Sequence, residues 1–430
     1  MIIRSKRVFL GGTPKPAALV IVAGRISEIR SYTYEKRRGL DLGDLMLLPA
    51  AIDVHVHFRD PEARHKEDFS SGSQAALAGG VTSIMDMPNY ANPPTTTVGA
   101  YLEKERIAAA SSRCDFSLHF GATNDNFDLV QRFSPHTLKM FLSETHSPLT
   151  VTERGLERHF SYFPKSKPIL VHCEDQEMMD QRQGKYKKHE EIRNSQVALS
   201  AVKKVSEIAK KYGKRRVHFC HLTSGAEVRA AKSWPLASAE VAPHHLFLSV
   251  ADLERLKGWG NANPPLRSKA EVASLWKALP NVDCMASDHA PHTPMDKDGG
   301  ASGFPGVQTM VPLMLDAVIS KKITLSTAMR LLSSGPAKAF GIIGKGRIAA
   351  GCDADFIAFD PGRKWAVTAS TLYSKCGWSP YEGRQLRGRI EAVFLRGQEA
   401  VAENEMQAGA GAGRKIKFEE SPFERKFSAR

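Results

Sequence analysis

The chain has 430 residues, of which 42% are hydrophobic and 25% charged, and its formal net charge is +14 at neutral pH. That length supports one large domain with a sizeable core and a smaller one beside it. With no apolar run of about 18 residues and too short an apolar stretch in MIIRSKRVFLGG for a signal peptide, a cytoplasmic protein is expected.

Residues 1–48 hold short strand-like runs and Gly-containing turns. From there β-rich runs alternate with helical ones. The strand candidates are LMLLPAAIDVHVHF (45–58), VTSIMDMPN (81–89), DFSLHFGAT (115–123) and TLKMFL (137–142), then PILVHCE (168–174), RVHFCHLT (216–223), LASAEVAPHHLFL (236–248) and NVDCMASDHAPHT (281–293). Amphipathic segments such as SQVALSAVKKVSEIAKKYG (195–213) and SKAEVASLWKALP (268–280) separate them. Strands alternating with helices predict an α/β protein with a (β/α)8 TIM-type barrel over 49–344. Residues 345–402 are again β-rich, so 1–48 and 345–402 are expected to pair into one small β-domain. Residues 403–430 read as a flexible basic tail. The basic run 203–216 reads as a solvated helix face and not as a nucleic-acid patch. The six scattered cysteines read as reduced, mostly buried thiols.

The chemistry begins at the end of the first barrel strand, Asp53-Val54-His55-Val56-His57-Phe58-Arg59. Side chains two apart on a strand share a face, so His55, His57 and Arg59 point one way. Two imidazoles so placed can bind one metal ion. Other strand ends add Lys139, His172, His221, Asp288, His289 and His292, and in a parallel barrel these ends converge on one mouth. Imidazole and carboxylate ligands suit zinc, which brings the pKa of its water to about 7. A lysine cation among metal ions is repelled, but CO2 converts it to a carbamate, an anionic bridging ligand. Arg59 suits a carboxylate-bearing substrate; the competing reading is a strand-end arginine paired with Asp60 or Glu62.

DVHVHFRDP (53–61), KEDFSSGSQAALAGGVTSIMDMPN (66–89), LKMFLSET (138–145), VHCED (171–175), CHLTS (220–224), EVAPHHLFL (240–248), NANPPLR (261–267), SDHAPHT (287–293), SGFPGVQTM (302–310) and KGRIAAGCDADFIAFDP (345–361) together resemble the dihydroorotases, a cyclic branch of the amidohydrolase superfamily. The likeness is to archaeal enzymes and to the dihydroorotase domain of the animal multifunctional pyrimidine protein. It implies two zinc ions per chain. His55 and His57 would hold the first, Lys139, carboxylated, would bridge both, and His172 and His221 would hold the second. Asp288 would ligate the first and act as general acid/base. Arg59, Asn89 and His292 would hold the substrate carboxylate, Asn263 the ring, and the backbone around Gly303 would contact substrate. Cys220 and Glu240 match positions that bind a further zinc in some relatives. Thr145 matches the threonine of a closing loop, although His146 stands where the animal domain has an aromatic. A homodimer, a small anionic substrate and association with aspartate carbamoyltransferase follow from the likeness, without nucleic acid or membrane. The rival readings are another cyclic amidohydrolase, of allantoinase or dihydropyrimidinase type, and a catalytically silent scaffold. Other histidines get plain readings: His119 matches no ligand, His65, His136, His159 and His189 lie at the surface, and His218 is out of phase with His221. His244 and His245 are expected to make structural hydrogen bonds on strand seven.

Overall fold

A computed structural model describes residues 1–89, 94–144, 149–403 and 405–419. Eight parallel strand positions follow one another in chain order. They are Ala51–Val56, Val81–Asp86, Asp115–Leu118 continued by Phe120–Gly121, Leu138–Phe141, Ile169–His172, Val217–Phe219, Ala237–Val241 and Cys284–Met285. The first three form one sheet, and Phe120–Gly121 begins a second that runs to Cys284–Met285. A parallel bridge between Val56 and His289 joins the first strand to the chain just past the eighth. His119 stands at the break in the third strand. It is fully buried, with Nδ1 2.8 Å from Thr137 Oγ1 and Nε2 3.0 Å from the Val54 carbonyl oxygen, so it ties neighbouring strands together.

The apolar run at 45–58 divides. Met46–Pro49 joins an antiparallel sheet, and Ala51–Val56 starts the parallel set. The hydrogen bonds change partner at that point: Ala50 N–H donates to Asp355 O, and Ala51 N–H donates to Gly80 O. Among the described residues this sheet, mostly antiparallel, has nine strands drawn from both ends of the chain. Met46–Pro49 is its seam, parallel to Ile2–Leu10 on one side and antiparallel to Phe356–Ala366 on the other.

Helices cover the parallel strands by burying one face. In Ser195–Tyr212 the buried residues include Val197, Ala201, Val202, Val205, Ile208 and Ala209, at helical spacing. Each fully buried Val or Ile is worth about 1.5–3 kcal/mol. Asn194 caps the start, and Gly213, at φ +53°, ends the helix. Lys203, Lys210 and Lys211 are exposed, as the solvated-face reading requires, but Arg215 is fully buried and donates to the carbonyls of Phe160, Phe163 and Pro164.

Three expectations need correction. The seventh strand stops at Val241, because Pro243 starts a helix, Pro243–Phe247, that carries His244 and His245. Among the described residues, neither ring nitrogen of His245 has a hydrogen-bond partner. The segment 405–419 is not a loose tail. Glu405–Met406 extends the antiparallel sheet, Phe116 N–H donates to Arg414 O, Ile416 N–H donates to Phe116 O, and Ile416 is buried. Two histidines called superficial are enclosed: His159 is buried against the Thr123 carbonyl, and half-buried His136 stacks on Phe418 at 3.6 Å. His65 is exposed. All six cysteines are free and buried.

Candidate metal centre and substrate cavity

The carboxyl ends of the parallel strands bring the polar residues together. Asp53 Oδ1 accepts from His55 N–H at 3.2 Å and from Ser287 N–H at 3.0 Å, which fixes the first strand against the chain after the eighth. Burial raises its carboxyl to about 7. Beyond Ser287 the backbone turns at Asp288, where φ is +47°. That conformation, which Asp tolerates better than most residues, ends the extended run and swings the carboxylate toward the first strand. Asp288 Oδ1 then lies 3.3 Å from both His55 Nε2 and His57 Nε2. Ligand atoms of these three residues lie within 4.8 Å of one another.

Each of the two rings is held from behind. His55 Nδ1 is 2.5 Å from Glu240 Oε1, and His57 Nδ1 is 2.7 Å from Asn89 Oδ1. With Nδ1–H donated to oxygen, each Nε2 is the ring atom turned toward Asp288. Glu240 also accepts from His218 Nε2 at 2.8 Å and from His221 N–H at 3.0 Å. Burial alone would depress His55, but the carboxylates of Glu240 and Asp288 raise it to about 10. The same carboxylates therefore favour positive charge at this point, whether a proton or a metal ion carries it.

A second pair stands beside the first. His172 Nδ1 faces His221 Nε2 at 2.9 Å, and the His55 and His221 ring centroids are 5.3 Å apart. Glu174 Oε2 holds His172 Nε2 at 2.8 Å, and Arg193 in turn holds Glu174. Burial pushes His172 down and His221 well below its usual value. Both imidazoles are thus neutral, the form that binds metals. Lys139, wholly buried, donates to Cys220 Sγ at 3.0 Å; its charge opposes the rise at His55 and adds to the lowering of His172 and His221. Cys220 and Glu240 also form a possible ligand group with His55. Facing imidazoles, one of them backed by the Glu174 carboxylate, are donors that suit zinc-like cations.

Above these groups lies a small cavity open at its mouth. His55, His57, Arg59, His172, His221, Asn263, Asp288 and Gly303 line it, together with Phe141, Ala290 and Ser302. Arg59 is buried at φ +63°, donates from Nε to Pro291 O, and sets Nη2 3.2 Å from His292 Nε2. Asp60 is engaged by Arg64 and Phe69 N–H. Burial, then Arg59 and Lys66, push His292 far down. Gly303 has φ +138°, and a Cβ there would meet Ala290 O at 2.6 Å, so the backbone forms the cavity wall. Lys139, Cys220, Glu240, Asn89 and His292 lie behind this lining. Thr145 falls outside the described residues.

Sequence reasoning passed over Glu174 and His218. Glu174 stands two residues after His172, and the same-face rule was the signal that pointed to it. His218 carried no local signal, since its link to Glu240 spans strands.

A parallel α/β scaffold with paired histidines and an aspartate at its strand ends defines a metal-dependent hydrolase class of site. The amidohydrolase family is matched over residues 46–400. The chain is 34% identical to the dihydroorotase of Methanosarcina acetivorans, covering 96% of this chain and 94% of that one. It is 34% identical to the dihydroorotase of Archaeoglobus fulgidus, with 94% and 97% covered. It is 36% identical over 87% of its length to the multifunctional protein CAD of Squalus acanthias, of which it spans 16%. Among solved structures, the L-hydantoinase of Arthrobacter aurescens superposes with a TM-score of 0.91 at 25% identity, with 96% and 99% covered. The chain belongs to the amidohydrolase family, and within it to the dihydroorotases.

Proposed function

We propose that the protein interconverts N-carbamoyl-L-aspartate and L-dihydroorotate, the dihydroorotase reaction of pyrimidine synthesis, as a hydrolase of cyclic amide bonds. The observation that carries the substrate is Arg59 with its Nη2 3.2 Å from His292 Nε2, beside the His55–His57–Asp288 centre. A planar guanidinium at the mouth of a buried cavity suits a carboxylate. A carboxylate-bearing ring can engage that guanidinium, which the neutral ring of the hydantoinase likeness does not do.

In this reading His55, His57 and Asp288 hold one zinc ion, and His172 and His221 a second. Lys139, carboxylated by CO2, would be their shared ligand, and Cys220 with Glu240 would be the residues for a further zinc. The metal supplies an acidified water and a Lewis acid for the ring carbonyl. Asp288 takes the proton of the attacking water and delivers it to the leaving ring nitrogen. Cyclisation reverses those transfers. Arg59, assisted by His292 and Asn89, orients the carboxylate, while Asn263 and the backbone at Gly303 face the ring. Glu240 and Glu174 keep the imidazoles in the tautomers that point lone pairs inward.

The same reading closes the eight parallel strands as a (β/α)8 barrel with the mixed-terminus sheet as a small domain. A cytoplasmic homodimer that associates with aspartate carbamoyltransferase completes it, supported by the likeness to part of a multifunctional protein.

The test is a direct comparison of substrates. Zinc-replete protein should turn over carbamoyl-aspartate and dihydroorotate in preference to dihydrouracil, hydantoin and allantoin; turnover of the neutral rings alone overturns the proposal. Arg59→Gln should raise KM for dihydroorotate about tenfold to a hundredfold, since a hydrogen bond to a charged group is worth about 1.5–3 kcal/mol. The neutral dihydrouracil should show no such penalty. Glu174→Gln should weaken zinc retention about 10- to 100-fold, read by competition with a chelator.

A further inference from the structure

His189 lies outside the cavity lining, yet it reaches a residue that is part of it. The side chain begins the short helix His189–Ile192, which follows the basic run 185–188. It is half-buried, so its expected place at the open surface is corrected. Its Nε2 lies 2.9 Å from Asn263 Oδ1 and 3.0 Å from the Ala262 carbonyl oxygen. Both partners are acceptors, so Nε2 must carry the hydrogen.

That hydrogen sets the direction of the Asn263 amide. Oδ1 is turned to His189, and the opposite end, Nδ2, has two N–H groups to give. Asn263 lines the cavity. Among the described residues no acceptor pairs with Nδ2. Turning the amide over would set Nδ2–H against Nε2–H, two donors face to face, and would leave the imidazole hydrogen with the Ala262 carbonyl alone.

We infer that His189 is a positioning residue that makes Asn263 a hydrogen-bond donor toward a carbonyl oxygen of the bound ring. This rests on the proposed cyclic-amide substrate and adds a specificity element to it. The site reads an acceptor at that ring position, and without His189 the amide is free to present oxygen or nitrogen.

A double-mutant cycle on the zinc-loaded full chain tests this, with dihydroorotate as substrate. His189→Phe is expected to raise KM about tenfold with kcat nearly unchanged, the order expected for a hydrogen bond formed only part of the time. His189→Gln, which keeps an N–H donor, should recover most of that loss. Asn263→Ala should raise KM further, and the pair His189→Phe with Asn263→Ala should be no worse than Asn263→Ala alone. Three results overturn the inference: a wild-type KM in His189→Phe, full additivity in the double variant, or a fall in kcat and melting temperature at constant KM. If the wild-type protein turns over only neutral rings, the functional reading fails, and the carbonyl assignment fails with it.

Discussion

Asp288→Asn is expected to lower kcat by about 10²–10⁴-fold, the usual worth of a general acid–base group, while zinc content falls little. The geometry separates the two effects. Asp288 sits at φ +47°, a backbone that Asn also adopts readily, so the variant should fold. Asparagine keeps one oxygen where Oδ1 lies 3.3 Å from both His55 Nε2 and His57 Nε2. The histidines and their backing partners, Glu240 and Asn89, are untouched. What disappears is a group that can accept a proton and return it, because an amide does neither. The measurements are kcat by a coupled assay and zinc per chain by atomic absorption. A variant that keeps half the wild-type activity removes Asp288 from the proton path, and one that loses its zinc makes Asp288 chiefly a ligand.

The site was legible where its logic is local. His55, His57 and Arg59 were read together from a two-residue period and all three line the cavity, although the strand ends at Val56 and Arg59 reaches it from a left-handed backbone turn at φ +63°. The strand-end positions of His172, His221 and Asp288 follow from a parallel sheet, whose carboxyl ends share one side. What could not be read depends on partners distant in the chain. Glu240 is held by His55 from 185 residues away and by His218 from a neighbouring strand. Asn89 Oδ1 is likewise tied to His57, 32 residues away, a link no local pattern announces, while its buried Nδ2 has no partner among the described residues.

The fold shows the same division. The periodicity of 195–213 gave its helix almost to the residue, since burial of one face decides it. The single apolar run 45–58 concealed a change of sheet at Ala50, because both halves are buried and the alternation carries no mark of which neighbour each pairs with. The Gly-rich start of the last segment suggested a linker. Lys345 gathers Asp115, Asp353 and Asp355 at the junction, and Arg414 N–H donates to Asp115, so charge pairing holds that segment where composition suggested freedom.

Lys139→Met should lower dihydroorotate turnover at least about a hundredfold, since outer partners of a metal ligand are already worth about 10- to 100-fold and a bridging ligand exceeds them. Lys139 is 0% exposed, and its ammonium donates to Cys220 Sγ. Its positive charge opposes the rise at His55 and adds to the lowering of His172 and His221, and so works against any further cation between those rings. Lys139 gives up one proton to become neutral, then adds to CO2 through a new N–C bond and releases a second proton, leaving a carbamate of charge −1 where +1 stood. The repulsion becomes attraction, and two oxygens become available between the histidine pairs. Metal-free protein given zinc in CO2-free buffer should therefore regain little activity, and added bicarbonate should restore it. Intact-mass measurement under native conditions should find one added CO2 in the restored wild type and none in Lys139→Met. Full recovery without bicarbonate, or a methionine variant near wild-type activity, would refute the carbamate and leave Lys139 as a buried structural cation.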